Sequence, residues 1–248
     1  MLYVRQSVAV GSGRCHPIGS LAAMSTRPTA LVTGASRGVG AATARALAAT
    51  HDVLLGGRDA GALETLAAEL PGSTAWPVEL TSVTVDDIAT IGSLDVLVHS
   101  AGVATLGTLE EGTAQQWRDT LEVNVVAVAE LTRLLLPALR SAGGHVVMIN
   151  SGAGLTAHAG WGSYAASKFA LRALADALRA EEPDLRVTSV HPGRVDTDMQ
   201  RAVVAHEGGD YDGSRFLTAE SVAAAVLAAV LAGPDAHLSE LVLRPTGR

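Results

Sequence analysis

Short apolar runs alternate along the chain with longer segments whose apolar positions recur every three or four residues. The runs at 30–33, 53–55, 75–78, 94–98, 145–150, 185–190 and 238–243 are predicted strands, short and mainly apolar as strands of a covered sheet are. The segments at 39–49, 60–70, 85–90, 113–139, 164–180 and 219–231 are predicted helices. Pro71 and Gly72 stop the second, and Pro137 interrupts or bends the fourth. Such alternation predicts an α/β chain, a mostly parallel seven-stranded sheet with helices on both faces. Residues 1–27 show no sustained period and contain Gly11, Gly13, Pro17 and Gly19, so a poorly structured extension is expected ahead of a single domain at 28–248. Arg14 and His16 break its apolar stretches, unlike the continuous core of a signal peptide, and Met24 is an alternative start. Residues 198–216 also lack a period and contain Gly208, Gly209 and Gly213, which predicts a mobile lid over about 197–217.

Composition narrows the partners. Hydrophobic residues make up 48% of the 248 and aromatic residues only 3%, so the core is built from Ala, Val and Leu. A net charge of -7 with no Lys/Arg cluster offers nothing to nucleic acid or to an anionic membrane. The apolar run at 222–232 is too short to span a bilayer, which predicts a soluble protein. Cys15 is the single cysteine, so no internal disulfide can form and a cytoplasmic location is expected. No group of His, Cys or carboxylates has metal-ligand spacing, and no metal is expected.

Three patterns carry chemistry. Lys168 is the only lysine beside seventeen arginines, and it follows Tyr164 by four residues, one helical turn away on the same face. A phenol titrates near ~10 and serves as an acid or base at neutral pH only if a nearby cation favours the phenolate. Upstream, the turn Gly34-Ala35-Ser36-Arg37-Gly38-Val39-Gly40 joins an apolar strand to an alanine-rich helix, the arrangement that presents helical N–H groups to a pyrophosphate. Ser151 ends another apolar run thirteen residues before Tyr164, and Asn124 lies between valines inside the long helix, where an amide is locally unfavourable.

In this order and spacing, these motifs resemble the short-chain dehydrogenase/reductase family from about Thr29 to the C-terminus. The resemblance implies a Rossmann-type doubly wound fold and hydride transfer between a nicotinamide and a carbonyl or secondary alcohol. It also implies a catalytic set of Asn124, Ser151, Tyr164 and Lys168. In that set Tyr164 exchanges the proton and Ser151 hydrogen-bonds the reacting oxygen. Lys168 lowers the phenol pKa and holds the ribose, while Asn124 distorts its helix and holds a water. Cofactor contacts are implied for Gly34, Ser36, Arg37, Gly38, Val39, Gly40, Glu79, Leu80, Ser100, Ala101, Gly102, Pro192, Gly193, Val195 and Thr197, besides Tyr164 and Lys168. His99-Ser100 stands where the family usually has two asparagines. His99 and His191 read as structural residues.

After the second strand an NAD site places an acid for the ribose 2'-hydroxyl, but this chain has Leu55-Gly56-Gly57-Arg58. Arg58 with Arg37 could clamp a 2'-phosphate, so NADP(H) is favoured over NAD(H), and Asp59 is expected to cap the next helix. Leu155, His158, Trp161, Met199, Val203 and Val204 are expected to line a mainly apolar substrate pocket. The expected function is therefore an NADP(H)-dependent oxidoreductase for a small, mostly apolar carbonyl or alcohol. The alternative is a non-catalytic NADP(H)-binding sensor on the same fold. An epimerase or dehydratase fits less well, since its glycine turn normally reads Gly-x-x-Gly-x-x-Gly. By resemblance, a homodimer or homotetramer is expected through the helices beginning near Thr113 and Tyr164.

Overall fold

The computed structural model of the protein describes residues 27–246. The expected extension, Cys15 and the alternative start at Met24 lie outside the described residues, Arg27 apart. Seven strands, β1 (Thr29–Thr33), β2 (Asp52–Gly57), β3 (Ser73–Pro77), β4 (Val96–His99), β5 (His145–Ile149), β6 (Arg186–Pro192) and β7 (Glu240–Leu243), form one sheet in the order β3-β2-β1-β4-β5-β6-β7. Every pairing is parallel. The sheet winds outward from β1 in both directions, and the reversal leaves a crevice above the carboxyl ends of β1 and β4 where a dinucleotide fits.

Strand alternation sorts the apolar side chains onto two faces. Leu31, Leu54, Leu97, Val146 and Met148 point to one, covered by α5 (Ala127–Ala142) through Leu131, Leu135 and Leu139 and by α6 (Gly162–Glu181) through Leu171 and Leu178. Ala30, Val32, Val53, Leu55, Val96, Val98 and Val147 point to the other. There α1 (Gly38–Ala48) supplies Ala41, Ala44 and Leu47, and α8 (Ala219–Val230) supplies Val222, Val226 and Val230. Small residues on α1 let that helix lie close to the sheet, as the low aromatic content requires. The helices α2 (Ala60–Glu69) and α3 (Val85–Ile88) complete the covering.

Two expectations need correction. The segment at 113–139 is not one helix bent at Pro137. It is α4 (Ala114–Leu121), a π-type segment at Glu122–Val126 and then α5, which runs through Pro137 to Ala142. Pro137 is exposed, so the carbonyl that its missing N–H leaves unpaired can turn to water. The irregularity belongs instead to Asn124, whose buried amide takes its partners outside the helix. The second correction concerns the lid, half of which is α7 (Asp198–His206). Thr197 caps α7 by accepting from the Gln200 N–H, and Gln200, Val203 and Val204 form its buried stripe. A polar residue within a stripe of three hid the period. Backbone bonds from Asp196 N to Leu217 O (2.8 Å) and from Leu217 N to Arg194 O (2.9 Å) close the base of this excursion.

No helix among the described residues is long and apolar enough to cross a membrane, and no group of three or more His, Cys, Asp or Glu there could hold a metal. Two buried histidines anchor the layers. His99 at the end of β4 lies 2.9 Å from Thr132 Oγ1 on α5. Since that hydroxyl gives its one proton to the Val128 carbonyl, His99 Nε2–H is the donor. His145 meets Thr188 in the same way at 2.8 Å. Burial pushes both imidazoles down to about 3, and it pushes His51 and His191 in the same direction.

An unfolded chain protonates these rings below about pH 6.5 while the native chain does not, so stability falls as pH drops from there toward 3. Each neutral histidine steepens the fall by up to about 1.4 kcal/mol per pH unit. Urea unfolding is expected to show lower stability at pH 5 than at pH 7, a window above most carboxylate titrations. A flat or rising stability across it would contradict the buried neutral rings.

Candidate active site

One large cavity, about 1320 Å³, opens along the carboxyl ends of β1, β4, β5 and β6. It exceeds the ~300–1,000 Å³ of an ordinary small-molecule pocket and can hold a dinucleotide beside a second molecule. All the expected cofactor positions line it, from Gly34, Ser36, Arg37, Gly38, Val39 and Gly40 through Arg58, Glu79, Leu80, Ser100, Ala101 and Gly102 to Pro192, Gly193, Val195 and Thr197.

At one end, Gly34 has φ 66°, and a Cβ there would stand 2.8 Å from the Ala101 N. A Cβ on Gly40 would come within 2.1 Å of the Gly34 carbonyl oxygen. The turn is therefore as tight as backbone allows, and α1 starts with no side-chain cap from Arg37, which leaves its first N–H groups available to an anion. Thr33 opens the glycine motif in the sequence, where it was given no role of its own. Its hydroxyl accepts from Ser100 N (3.1 Å) and Ala101 N (3.2 Å) and fastens the end of β1 to the segment after β4. A hydroxyl residue just before the glycine turn was the available signal.

Arg37 and Arg58 stand at the rim, each about three-quarters exposed, 3.8 Å from Asp198 and Glu79 respectively. Neither pair is close enough for a hydrogen bond, so a stronger anion could draw both guanidinium groups away. No acid follows β2 until Asp59, which caps α2 by accepting from Ala62 N at 3.1 Å, as expected. The residues present fit the pyrophosphate and ribose of a dinucleotide.

At the other end, Ser151, Tyr164 and Lys168 converge. Ser151 follows β5 and its Oγ accepts from Ala153 N. α6 carries Tyr164 and Lys168 one turn apart, both buried, with the lysine Nζ 5.7 Å from the phenol ring centre. Lys168 donates to the Ile149 carbonyl at 2.9 Å. Burial pushes the phenol pKa up, and a hydrogen bond with Ser151 opposes it. The ammonium is itself pushed down to about 8 by burial. Of the two causes that act on the phenol, burial is the larger.

Asn124 does not reach the cavity wall. Its side chain is buried and fully used, accepting from Val103 N and donating to Val103 O and Ser167 Oγ, all at 2.9–3.0 Å. Ser167, unnoticed in the sequence, passes the constraint on by donating to the Tyr164 carbonyl at 2.7 Å. The amide is a positioning strut behind the wall. Gly102 closes the arrangement: a Cβ there would stand 3.2 Å from Asn124 Oδ1 and 3.9 Å from Lys168 Nζ.

Of the expected substrate-pocket residues, His158, Trp161, Met199 and Val203 line the cavity. Leu155 and Val204 do not, the latter because its position on α7 turns it into the interior. Trp161 packs edge-on against Tyr164, with ring centres 5.8 Å apart. Gln200, Arg194, Glu207 and Arg244 also line the cavity and were not anticipated. His191 is buried with Nδ1 3.1 Å from the Ser151 carbonyl, and His99 is held by Thr132, so both are structural as expected.

The family profile described as short chain dehydrogenase matches residues 28–208. Dehydrogenase/reductase SDR family member 11 of Mus musculus is 32% identical over 244 residues, covering 88% of this chain and 94% of the relative. Glycine betaine reductase ATRR of Emericella nidulans is 34% identical over 235 residues, 87% of this chain, but the match spans only 18% of that much longer protein. Among solved structures, an alcohol dehydrogenase from the archaeon Thermococcus sibiricus complexed with 5-hydroxy-NADP superimposes with a TM-score of 0.80 at 28% identity, covering 89% of this chain and 97% of the other. The chain belongs to the short-chain dehydrogenase/reductase family and is an oxidoreductase of alcohols or carbonyls that uses NAD(P).

Proposed function

We propose that this enzyme is NADP(H)-dependent and interconverts a small, mostly apolar ketone or aldehyde with its alcohol. The observation that carries this reading is a single cavity with Ser151, Tyr164 and Lys168 at one end and two loosely paired arginines at the other. The nicotinamide supplies or accepts the hydride. Tyr164 donates its proton to the developing alkoxide during reduction and takes it back during oxidation. Ser151, within hydrogen-bond reach of the phenol, also holds the reacting oxygen. Lys168, anchored to the Ile149 carbonyl, keeps donors free for the ribose and places positive charge beside the phenol. Asn124 and Ser167 keep Tyr164 and Lys168 in register. Trp161, Met199 and Val203 offer an apolar wall to the substrate.

NADP(H) preference rests on the missing acid after β2 and on Arg37 and Arg58 at the rim. A homodimer or homotetramer is supported by exposed Val126 in the π-type segment and Phe169 on α6. A cytoplasmic location is supported by the single cysteine, Cys15, a usage that fits a reducing compartment. Fusion to a fluorescent reporter, followed by fractionation, would place it elsewhere if this is wrong.

Three outcomes test these proposals. Tyr164→Phe keeps the ring and removes the proton, so NADPH consumption against ketones should fall by at least a hundredfold, as general acid catalysis contributes about 10²–10⁴. Cofactor affinity should hardly change, and near-normal turnover would remove Tyr164 from the mechanism. Arg58→Ala should weaken NADPH by about tenfold, the lower range for a charged hydrogen bond because the site is exposed, and should barely alter NADH. Equal losses for both cofactors, or a wild-type preference for NADH, would reverse the assignment. Light scattering at micromolar concentration should show more than one copy per particle, and a monomer would end the oligomer proposal.

A further inference from the structure

Five cationic side chains stand on the cavity wall, and four of them have an evident local task. Arg37 and Arg58 face Asp198 and Glu79 at the rim, Arg194 is paired with Glu207 at 2.6 Å, and Lys168 sits beside Tyr164. Arg244, just after β7, is the fifth. It has no carboxylate partner among the described residues. Glu240 on β7 is engaged by Arg172 at 3.0 Å.

Main-chain oxygens hold Arg244 in place. Nη1 donates to the His191 carbonyl at 3.3 Å and to the Leu243 carbonyl at 3.0 Å, while Nη2 has no hydrogen-bond partner among the described residues. These acceptors fix the guanidinium without neutralising it. It lies across the backbone of Gly152, the residue after Ser151. A Cβ there would meet Nη1 at 3.4 Å, Nη2 at 3.5 Å and Cζ at 3.6 Å. The aliphatic part of the side chain runs past Gly193, whose Cβ would lie 3.7 Å from Cδ. Both glycines leave room for the arginine beside Ser151, on the β6–β7 side of the sheet from which Arg58, after β2, is separated by β1, β4 and β5, and Trp161, Met199 and Val203 line the same cavity.

We propose that the substrate is a keto acid, or the corresponding hydroxy acid, whose carboxylate binds Arg244 while its ketone meets Ser151 and Tyr164. This rests on the reductase reading above and names the substrate class within it. A planar guanidinium with free N–H groups matches a carboxylate better than any neutral group on the substrate could. The carboxylate makes and breaks no bond. The ketone carbon gains hydride from NADPH, the oxygen gains the Tyr164 proton, and NADP and the hydroxy acid leave, with solvent restoring the phenol proton.

The test compares straight-chain keto acids from three to ten carbons with their methyl esters, by NADPH consumption. Wild type should favour the acid of at least one chain length by about tenfold in kcat/KM, the effect of one partly exposed charged contact. That ratio should collapse toward one in Arg244→Met and recover in part in Arg244→Lys. In wild type alone, the KM of the acid should rise with added salt while that of the ester stays level, which needs no variant to fold. Tryptophan fluorescence of the NADPH complex, which Trp161 reports from the cavity wall, should show the acid binding more tightly than the ester whether or not either is turned over. Esters preferred at every length, or an acid preference untouched in Arg244→Met, would overturn the role of Arg244. Acids that bind but are never reduced would overturn the keto acid as substrate, and reduction of neutral ketones in the same assay would show that the reductase reading survives that failure.

Discussion

Lys168 places an ammonium where almost no water reaches, and much of the site follows from accommodating it. Its relative exposure is 5%, and the cost of desolvation appears in a pKa pushed down to about 8. One carbonyl, that of Ile149 at the end of β5, answers the charge. That bond fixes α6 against the strand that delivers Ser151, so the phenol, the hydroxyl and the ammonium share one geometry. The glycines nearby follow from the same crowding. A Cβ on Gly154 would come within 2.8 Å of the Lys168 carbonyl oxygen and 2.5 Å of Asn150 Oδ1, and Gly102 leaves the gap between Asn124 and the ammonium.

The cavity divides its charge between its ends. The rim arginines are exposed and lightly held, suited to an anion that arrives from solvent and must leave again. The reactive end is desolvated, where each dipole acts more strongly, and its groups are fixed by backbone contacts rather than by acids. Arg244 combines features of both: it is exposed like the rim pair, yet main-chain oxygens hold it like the reactive groups.

The sequence made the sheet legible because buried strands read as short, mainly apolar runs, and the seven predicted runs correspond to β1 through β7 with ends shifted by up to two residues. The glycine turn and the Tyr-Lys pair were legible because their partners lie within one turn of chain. What was not legible depends on neighbours distant in sequence. Thr33 reaches Ser100, Asn124 reaches Val103 and Ser167, and Arg244 reaches Gly152, contacts that only the parallel order of strands creates. The bend assigned to Pro137 shows the same limit: whether a proline disrupts a helix depends on where its lost partner faces, and here that is water. Leu155 and Val204 were placed in the pocket on character alone, and orientation on the element decided against them.

The same constraint explains why one lysine remains among seventeen arginines. An arginine can stand in for a lysine in a singly bonded surface ion pair, as Arg45 does with Glu69. At position 168 the replacement would bring five N–H donors into a space where the protein offers one carbonyl, leaving several buried donors unsatisfied. A guanidinium also stays charged at every accessible pH, whereas the ammonium at 168 titrates near the working range. The site therefore needs a compact cation with few donors and an adjustable pKa, conditions that lysine meets and arginine does not.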